Sequence, residues 1–117
     1  MATILIVDDD REQSEIRKLL LEKAGHTVSV ATSSTEAVCL LAAQSFAVVL
    51  MDLHIPTLEY ALKLIRHIHA QEAAPRILVL SGWPEALQDR SEAALVDRVL
   101  AKPARAKVLL ETIGELL

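Results

Sequence analysis

The stretch TILIVDDD, residues 3–10, joins a short run of β-branched and apolar residues to three consecutive aspartates. A run of this length and composition is typical of a strand that is covered on both faces of a sheet. Two similar runs follow along the chain, FAVVLM at 46–51 and RILVL at 76–80. These three segments are therefore predicted to be the central strands of a parallel sheet.

Two more segments are predicted to be strands at the edges of the sheet. The segment HTVSVA, residues 26–31, alternates polar and apolar side chains, as a strand with one wetter face does. The segment RVLA, residues 98–101, is short and also edge-like. Placing these two at the edges leaves the other three in the middle, which corresponds to the strand order 2-1-3-4-5.

Helical patterns lie between the predicted strands. Asp10 is a plausible N-cap for the first helix, which is expected to end just before Gly25, and Ser33–Glu36 has the spacing of a capping box. The segment Pro84–Leu95 gives the weakest helical pattern, because its apolar stripe is mostly alanine. Apart from Pro84–Leu95, each predicted helix is expected to bury one apolar face. In chain order these faces are Ile16, Leu19, Leu20 and Ala24; Ala37, Val38 and Leu41; Leu58, Ala61, Leu62, Ile65 and Ile68; and Val108, Leu109, Thr112, Ile113 and Leu116.

Five strands that alternate with five helices predict an α/β fold. In such a fold a single, doubly wound, five-stranded parallel sheet is covered by helices on both faces. With the strand order 2-1-3-4-5 this is the flavodoxin-like (βα)5 architecture. A chain of 117 residues suits one domain, and residues 1–117 are expected to form it.

The composition restricts the expected partners and location. The formal net charge is −4 and the basic residues are scattered, so no direct contact with nucleic acid is expected. No apolar run approaches the roughly 20 residues that cross a bilayer, and the start of the chain lacks the basic leader of a signal peptide. Cys39 is the single cysteine, which rules out an internal disulfide. We therefore expect a cytoplasmic protein, away from membranes, with Cys39 buried in a helix.

Polar side chains directly follow four of the predicted strands. Asp8 and Asp9 follow the first strand, Asp52 the third, Ser81 the fourth and Lys102 the fifth. In an open α/β sheet, ligands bind outside the carboxyl ends of the strands. Since the first and third strands are predicted neighbours, the three carboxylates are expected to converge in one crevice.

A crevice of this kind suits a metal ion and a phosphoryl group. Carboxylates that crowd together repel one another unless a cation joins them, and a set of oxygen ligands favours Mg²⁺, with Mn²⁺ or Ca²⁺ as alternatives. A carboxylate can act as a nucleophile and form an acyl phosphate. Lys102 and the metal would neutralise charge on the phosphoryl oxygens, to which Ser81 could donate its hydroxyl.

Each of these residues also has a simpler interpretation. Asp10 alone is best explained as a helix cap, and Asp8 and Asp9 could share that role. Asp52 could be a loop carboxylate, Ser81 part of a turn, and Lys102 a surface lysine. The joint pattern favours a site, because four strands place suitable groups on the same edge of the sheet.

Four stretches of this chain resemble the receiver domain of two-component response regulators. They are ILIVDDD at 4–10, VVLMDLHIP at 48–56, ILVLSGW at 77–83 and VLAKP at 99–103. The resemblance extends over essentially the whole chain, and the four motifs together are highly specific.

The resemblance implies a role for each residue of the crevice. Asp52 would accept the phosphoryl group, Ser81 would supply the switch hydroxyl and Lys102 would contact the phosphate. Asp9 would bind Mg²⁺ directly and Asp8 through water. The backbone carbonyl of His54 would complete the protein ligands, together with Asp52. The peptide bond between Lys102 and Pro103 is expected to be cis.

The chain departs from the family pattern at several positions. Val99 stands where family members commonly carry an aromatic residue that turns inward on phosphorylation, so switching through backbone shifts is the alternative. Tyr60 replaces a common glycine. His54 and Trp83 lie two residues beyond Asp52 and Ser81, where a bulky pair is hypothesised to shield the acyl phosphate from water.

The resemblance implies a signalling switch and not an enzyme. The phosphoryl donor would be a sensor histidine kinase or a histidine phosphotransfer protein. The signal would leave through altered contacts with a downstream protein or through a homodimer. Two alternatives remain: a receiver-like interaction module that works without phosphorylation, and a small Mg²⁺-dependent phosphohydrolase in which Asp8 is the nucleophile.

Overall fold

The structure, a computed structural model, describes residues 2–117. Its five strands form one parallel sheet in the order β2-β1-β3-β4-β5, which confirms the predicted order. Strand boundaries differ from the prediction by at most two residues. The strands are β1 Thr3–Val7, β2 Thr27–Ala31, β3 Val48–Met51, β4 Arg76–Ser81 and β5 Arg98–Ala101, and the α-helices are α1 Arg11–Lys23, α2 Ser34–Ala43, α3 Leu58–His69 and α4 Ala106–Leu116.

Alternate residues of the central strands build a separate apolar core on each face of the sheet. On one face, residues such as Leu5, Val49 and Ile77 pack with α2 and α3. On the other, residues such as Ile4 and Leu50 pack with α1 and α4. Because successive side chains of a strand point to opposite faces, this arrangement buries β1, β3 and most of β4 on both sides. The prediction of doubly covered central strands is confirmed.

The helix starts follow the predicted capping residues. The side chain of Asp10 accepts a hydrogen bond from the backbone N–H of Gln13 at the start of α1. That of Ser33 accepts from Glu36 at the start of α2. The Glu36 carboxylate binds the N–H of Thr32, one residue earlier than in a standard capping box. Gly25 follows α1 with a φ of 98°, a left-handed conformation that favours glycine.

The segment between β4 and β5 differs from its prediction. Instead of one helix over Pro84–Leu95, the chain forms two short 3₁₀ segments, Pro84–Leu87 and Ser91–Leu95. Leu87 is the one large apolar side chain of these two segments that is fully buried. Tertiary packing supplies most of the stability of helices in proteins. Because this segment packs so little apolar surface, a continuous helix would be only weakly stabilised here. Within residues 2–117, the sheet is flanked by four α-helices instead of the predicted five.

Helix α1 is rotated relative to its predicted orientation. Ile16 and Leu19, expected to be buried, are 54% and 65% exposed, whereas Ser14 and Leu21 are fully buried. Arg17 shares the inward face with Ser14 and Leu21, since the spacing of three and four residues follows the helical repeat. Because Ser14 and Arg17 are polar, the spacing of apolar residues did not identify this face as the buried one.

The exposure of Cys39 and the length of the helices test two further expectations. Cys39 is exposed on α2, so the expectation that it is buried was wrong. Within residues 2–117, no helix combines the length and the apolar character needed to cross a bilayer.

Candidate functional site

The parallel register brings Asp8 and Asp52 side by side at the carboxyl edge of the sheet. Val7 pairs with Met51, so the next residue of each strand lies at the same level. Backbone hydrogen bonds continue past the strand ends, from the Asp8 N–H to Ala31 and from the Asp52 N–H to Val7, both at 3.1 Å. The positions of both aspartates are therefore set by the sheet.

Lys102 joins the two carboxylates. Its ammonium Nζ lies 3.0 Å from Oδ2 of Asp52 and 3.4 Å from Oδ2 of Asp8. The Lys102 N–H donates to the carbonyl of Ser81 at 2.8 Å, so the end of β5 is tied to the end of β4. The peptide bond between Lys102 and Pro103 is cis, as expected, and so is that between Ile55 and Pro56. Lys102 reaches the site from the opposite end of the sequence, as the strand order predicts.

Arg17 is a second basic residue at Asp8, and sequence reasoning missed it. Its Nη1 lies 3.1 Å from Oδ2 of Asp8, and its side chain is only 14% exposed. The other carboxylate oxygen of Asp8 accepts the backbone N–H of Asp10 at 3.0 Å. Asp8 itself is 3% exposed. The spacing of Arg17 from Ser14 and Leu21 was the available signal, but it required knowing which face of α1 is buried.

The loops after β3 and β4 make matching turns. The N–H of His54 donates to Oδ1 of Asp52 at 3.3 Å, and the N–H of Trp83 donates to Oγ of Ser81 at 3.0 Å. In each turn a side-chain oxygen accepts from the backbone two residues later, as in Asx and Ser/Thr turns. Ser81 is fully buried. Its hydroxyl proton remains available for a further acceptor, because Oγ is the acceptor in the turn.

The two turns bring His54 and Trp83 together in a stack. Their ring centroids are 6.5 Å apart and their planes differ by 8°. The centroid distance lies within the range of offset stacking between aromatic rings. Trp83 remains 60% exposed, so the stack lies at the protein surface. It connects the loop that follows Asp52 with the loop that follows Ser81.

The predicted metal ligands are only partly brought together. Asp8 and Asp52 share the Lys102 ammonium, whereas Asp9 is exposed to solvent. Within residues 2–117, no three His, Cys, Asp or Glu side chains are grouped so that they could hold a metal ion. The oxygen donors of Asp8, Asp9 and Asp52 fit the chemistry of Mg²⁺. A bound metal would compete with basic side chains that already contact Asp8 and Asp52.

Comparison with known proteins gives a consistent result. The family model for the response regulator receiver domain matches residues 4–114. The chain is 30% identical over 119 residues to the sensory/regulatory protein RpfC of Xanthomonas campestris pv. campestris, covering 97% of this chain and 16% of RpfC. It therefore spans only a small part of that relative.

Two solved structures show the same fold over nearly their whole length. The response regulator receiver domain (CheY-like) from Methylobacillus flagellatus has a TM-score of 0.88 at 26% identity, covering 100% of this chain and 99% of that one. The response regulator protein TrrA from Thermotoga maritima, solved in complex with Mg²⁺-BeF, has a TM-score of 0.87 at 22% identity, covering 100% of both chains. The flavodoxin-like architecture predicted from the sequence is confirmed.

Proposed function

The chain is a member of the response regulator receiver domain family, and on this premise we propose that Asp52 accepts a phosphoryl group. Domains of this family are signalling switches of two-component systems. The proposed donor is a sensor histidine kinase or a histidine phosphotransfer protein. The observation that carries the proposal is the contact of the Lys102 ammonium with Asp52 at 3.0 Å, at the carboxyl edge of the sheet.

The proposed chemistry is nucleophilic attack by a carboxylate oxygen of Asp52 on the phosphorus of a phosphohistidine. The new O–P bond gives an acyl phosphate, the P–N bond breaks, and the imidazole leaves. Lys102 would neutralise charge on the transferred oxygens, since electrostatic stabilisation dominates phosphoryl transfer. The buried hydroxyl of Ser81 would donate to one of these oxygens while its Oγ accepts from Trp83.

A divalent cation is part of the proposal. Asp8, Asp9, Asp52 and the backbone carbonyl of His54 are the residues that would hold it. Mg²⁺ is the first candidate and Mn²⁺ the second, and the complex of TrrA with Mg²⁺-BeF supports this choice. The ion would supply positive charge to the phosphoryl oxygens during transfer.

The phosphorylated site is proposed to act through protein contacts, either with a downstream protein or in a homodimer. Phosphorylation adds negative charge and strong acceptor oxygens beside Ser81, where the 3₁₀ segments begin. A groove of about 400 Å³ near these segments is lined by Pro84, Leu87, Ala93 and Val99, among others. Val99, which is exposed on β5, stands where an inward-turning aromatic side chain is common in the family. The proposed signal therefore leaves through this groove without the movement of such a side chain. A cytoplasmic location and the absence of direct nucleic-acid contact belong to the same proposal.

Incubation with acetyl phosphate and Mg²⁺, followed by intact-mass measurement, tests the proposal. A labile phosphoryl adduct is expected on the parent protein and not on Asp52→Ala. If no adduct forms on the folded parent, the favoured interpretation becomes an interaction module that works without phosphorylation. If the adduct is lost on changing Asp8 but persists on changing Asp52, the phosphohydrolase alternative is favoured.

A further inference from the structure

Asp8 has two basic partners in this structure. Oδ2 of its carboxylate lies 3.1 Å from the Arg17 guanidinium and 3.4 Å from the Lys102 ammonium. The remaining oxygen, Oδ1, accepts the N–H of Asp10. Both carboxylate oxygens of this buried side chain are therefore engaged by groups of the protein itself.

These contacts restrict how a divalent cation can approach. A cation that uses Asp8, directly or through a water, has to approach a carboxylate whose Oδ2 already faces two positive charges, those of Arg17 and Lys102. The guanidinium of arginine stays charged at any physiological pH, so its positive charge cannot be removed by losing a proton. Lys102 also contacts Asp52, whereas the one ion pair of Arg17 among the described residues is with Asp8.

We propose that Arg17 is an internal counter-ion that competes with the divalent cation for Asp8 and thereby lowers the metal affinity of the site. The inference rests on the proposed function, because it takes Asp8 as part of a metal site. It assigns to Arg17 a positioning role, since Arg17 acts on the site through the Asp8 carboxylate.

The structure also provides space for Arg17 when a metal displaces it. A groove of about 470 Å³ between α1 and the start of α4 is lined by Arg17 itself, with Asp10, Gln13 and Lys102 among its polar residues. A guanidinium displaced from Asp8 is expected to turn into this groove, which its side chain already lines. Asp10 and Gln13 offer oxygen acceptors there.

The test is a calorimetric titration of Mg²⁺ into the full chain without a phosphoryl donor. Arg17→Met keeps the aliphatic length and removes the charge. It is expected to bind Mg²⁺ about tenfold more tightly, because the positive charge that lies 3.1 Å from Oδ2 of Asp8 and repels the cation is gone. Arg11→Met is the matched control, because Arg11 is an exposed residue of the same helix. Its Mg²⁺ affinity is expected to stay within about twofold of the parent.

Equal Mg²⁺ affinities in Arg17→Met and Arg11→Met would overturn the proposal, as would the absence of Mg²⁺ binding in every variant. Thermal melting shows whether Arg17→Met is folded, and Arg17→Gln serves as the second neutral variant if it is not. Phosphorylation of Asp52 is measured separately with acetyl phosphate. A failure of that reaction with the metal result intact would therefore reject the phosphoacceptor role of Asp52, but not the metal site on which the competition by Arg17 depends.

Discussion

Lys102 contacts the carboxylates of Asp8 and Asp52 with its ammonium group. Replacing it with methionine removes the ammonium that lies 3.0 Å from Asp52. We expect phosphorylation by acetyl phosphate to slow by about 10²-fold, the effect of removing one stabilising group from an acyl- or phosphoryl-transfer site. Time-resolved intact-mass measurement gives the rate. Lys107→Met is the control, because Lys107 is exposed on α4 and its pair with Glu111 is long, at 3.9 Å.

His54 and Trp83 form a stack next to the proposed phosphoacceptor. If this pair shields the acyl phosphate from water, changing both residues to alanine should shorten its lifetime several-fold. The measurement is the rate at which the phosphoryl adduct is lost after removal of acetyl phosphate. Tyr60→Ala is a control for loss of an exposed aromatic side chain elsewhere. An unchanged rate in the double variant would remove the shielding hypothesis.

At the scale of single elements, α1 offers a direct test of its rotation. Leu21 is fully buried and Leu19 is 65% exposed, although the sequence pattern placed Leu19 on the inner face. Leu21→Ala should lower the free energy of unfolding by about 2–5 kcal/mol, as expected for a buried leucine. Leu19→Ala should change it by less than about 0.5 kcal/mol. Urea unfolding of both variants checks this, and equal losses would mean that the helix is oriented differently.

The second 3₁₀ segment is held to α3 by Glu92 and Arg66. The pKa of Glu92 lies below its ordinary value of 4.5, chiefly because its own backbone N–H binds the carboxylate. Burial opposes this shift, while Arg66 and Ser91 reinforce it. A carboxyl group with a lowered folded pKa stabilises the fold above its ordinary pKa, and this contribution is lost as the pH falls through the lowered value.

Glu92→Gln should therefore lower the melting temperature at neutral pH and have a smaller effect at about pH 3. Thermal melts at both pH values measure the difference. Glu115→Gln removes an exposed pair with Arg98 and is expected to change the melting temperature little. A constant effect of Glu92→Gln across the pH range would show that the ion pair does not stabilise this segment.

The elements also show where sequence patterns were sufficient. β1 and β3 were recognisable because strands buried on both faces read as continuous apolar runs. The placement of Asp8, Asp52, Ser81 and Lys102 at one edge was predictable, because each lies at or just after the end of a strand and parallel strands end at one edge. Arg17 was not recognisable, since its place depends on how α1 rotates to bury Ser14. The 3₁₀ segments were not recognisable either, because alanine-rich helical spacing does not show how much packing a segment finds.

At the scale of the whole molecule, the fold should respond to metal binding. A ligand that binds only the folded state stabilises it by about 2.7 kcal/mol at a concentration one hundred times its Kd. Mg²⁺ is therefore expected to raise the melting temperature of the parent, and removal by a chelator should reverse the increase. Asp52→Ala should lose most of this response, whereas Asp89→Ala, which changes an exposed aspartate, should keep it. Equal responses in both variants would assign the effect to non-specific ion binding.

Trp83 is the single tryptophan of the chain, accompanied by one tyrosine and one phenylalanine. Almost all of the near-ultraviolet emission of this protein therefore comes from one indole, which rests on His54 beside the site. Any event that opens either turn changes the surroundings of that indole. The protein thus carries its own optical reporter, with which ion binding, phosphorylation and partner docking can be followed in real time without attaching a dye.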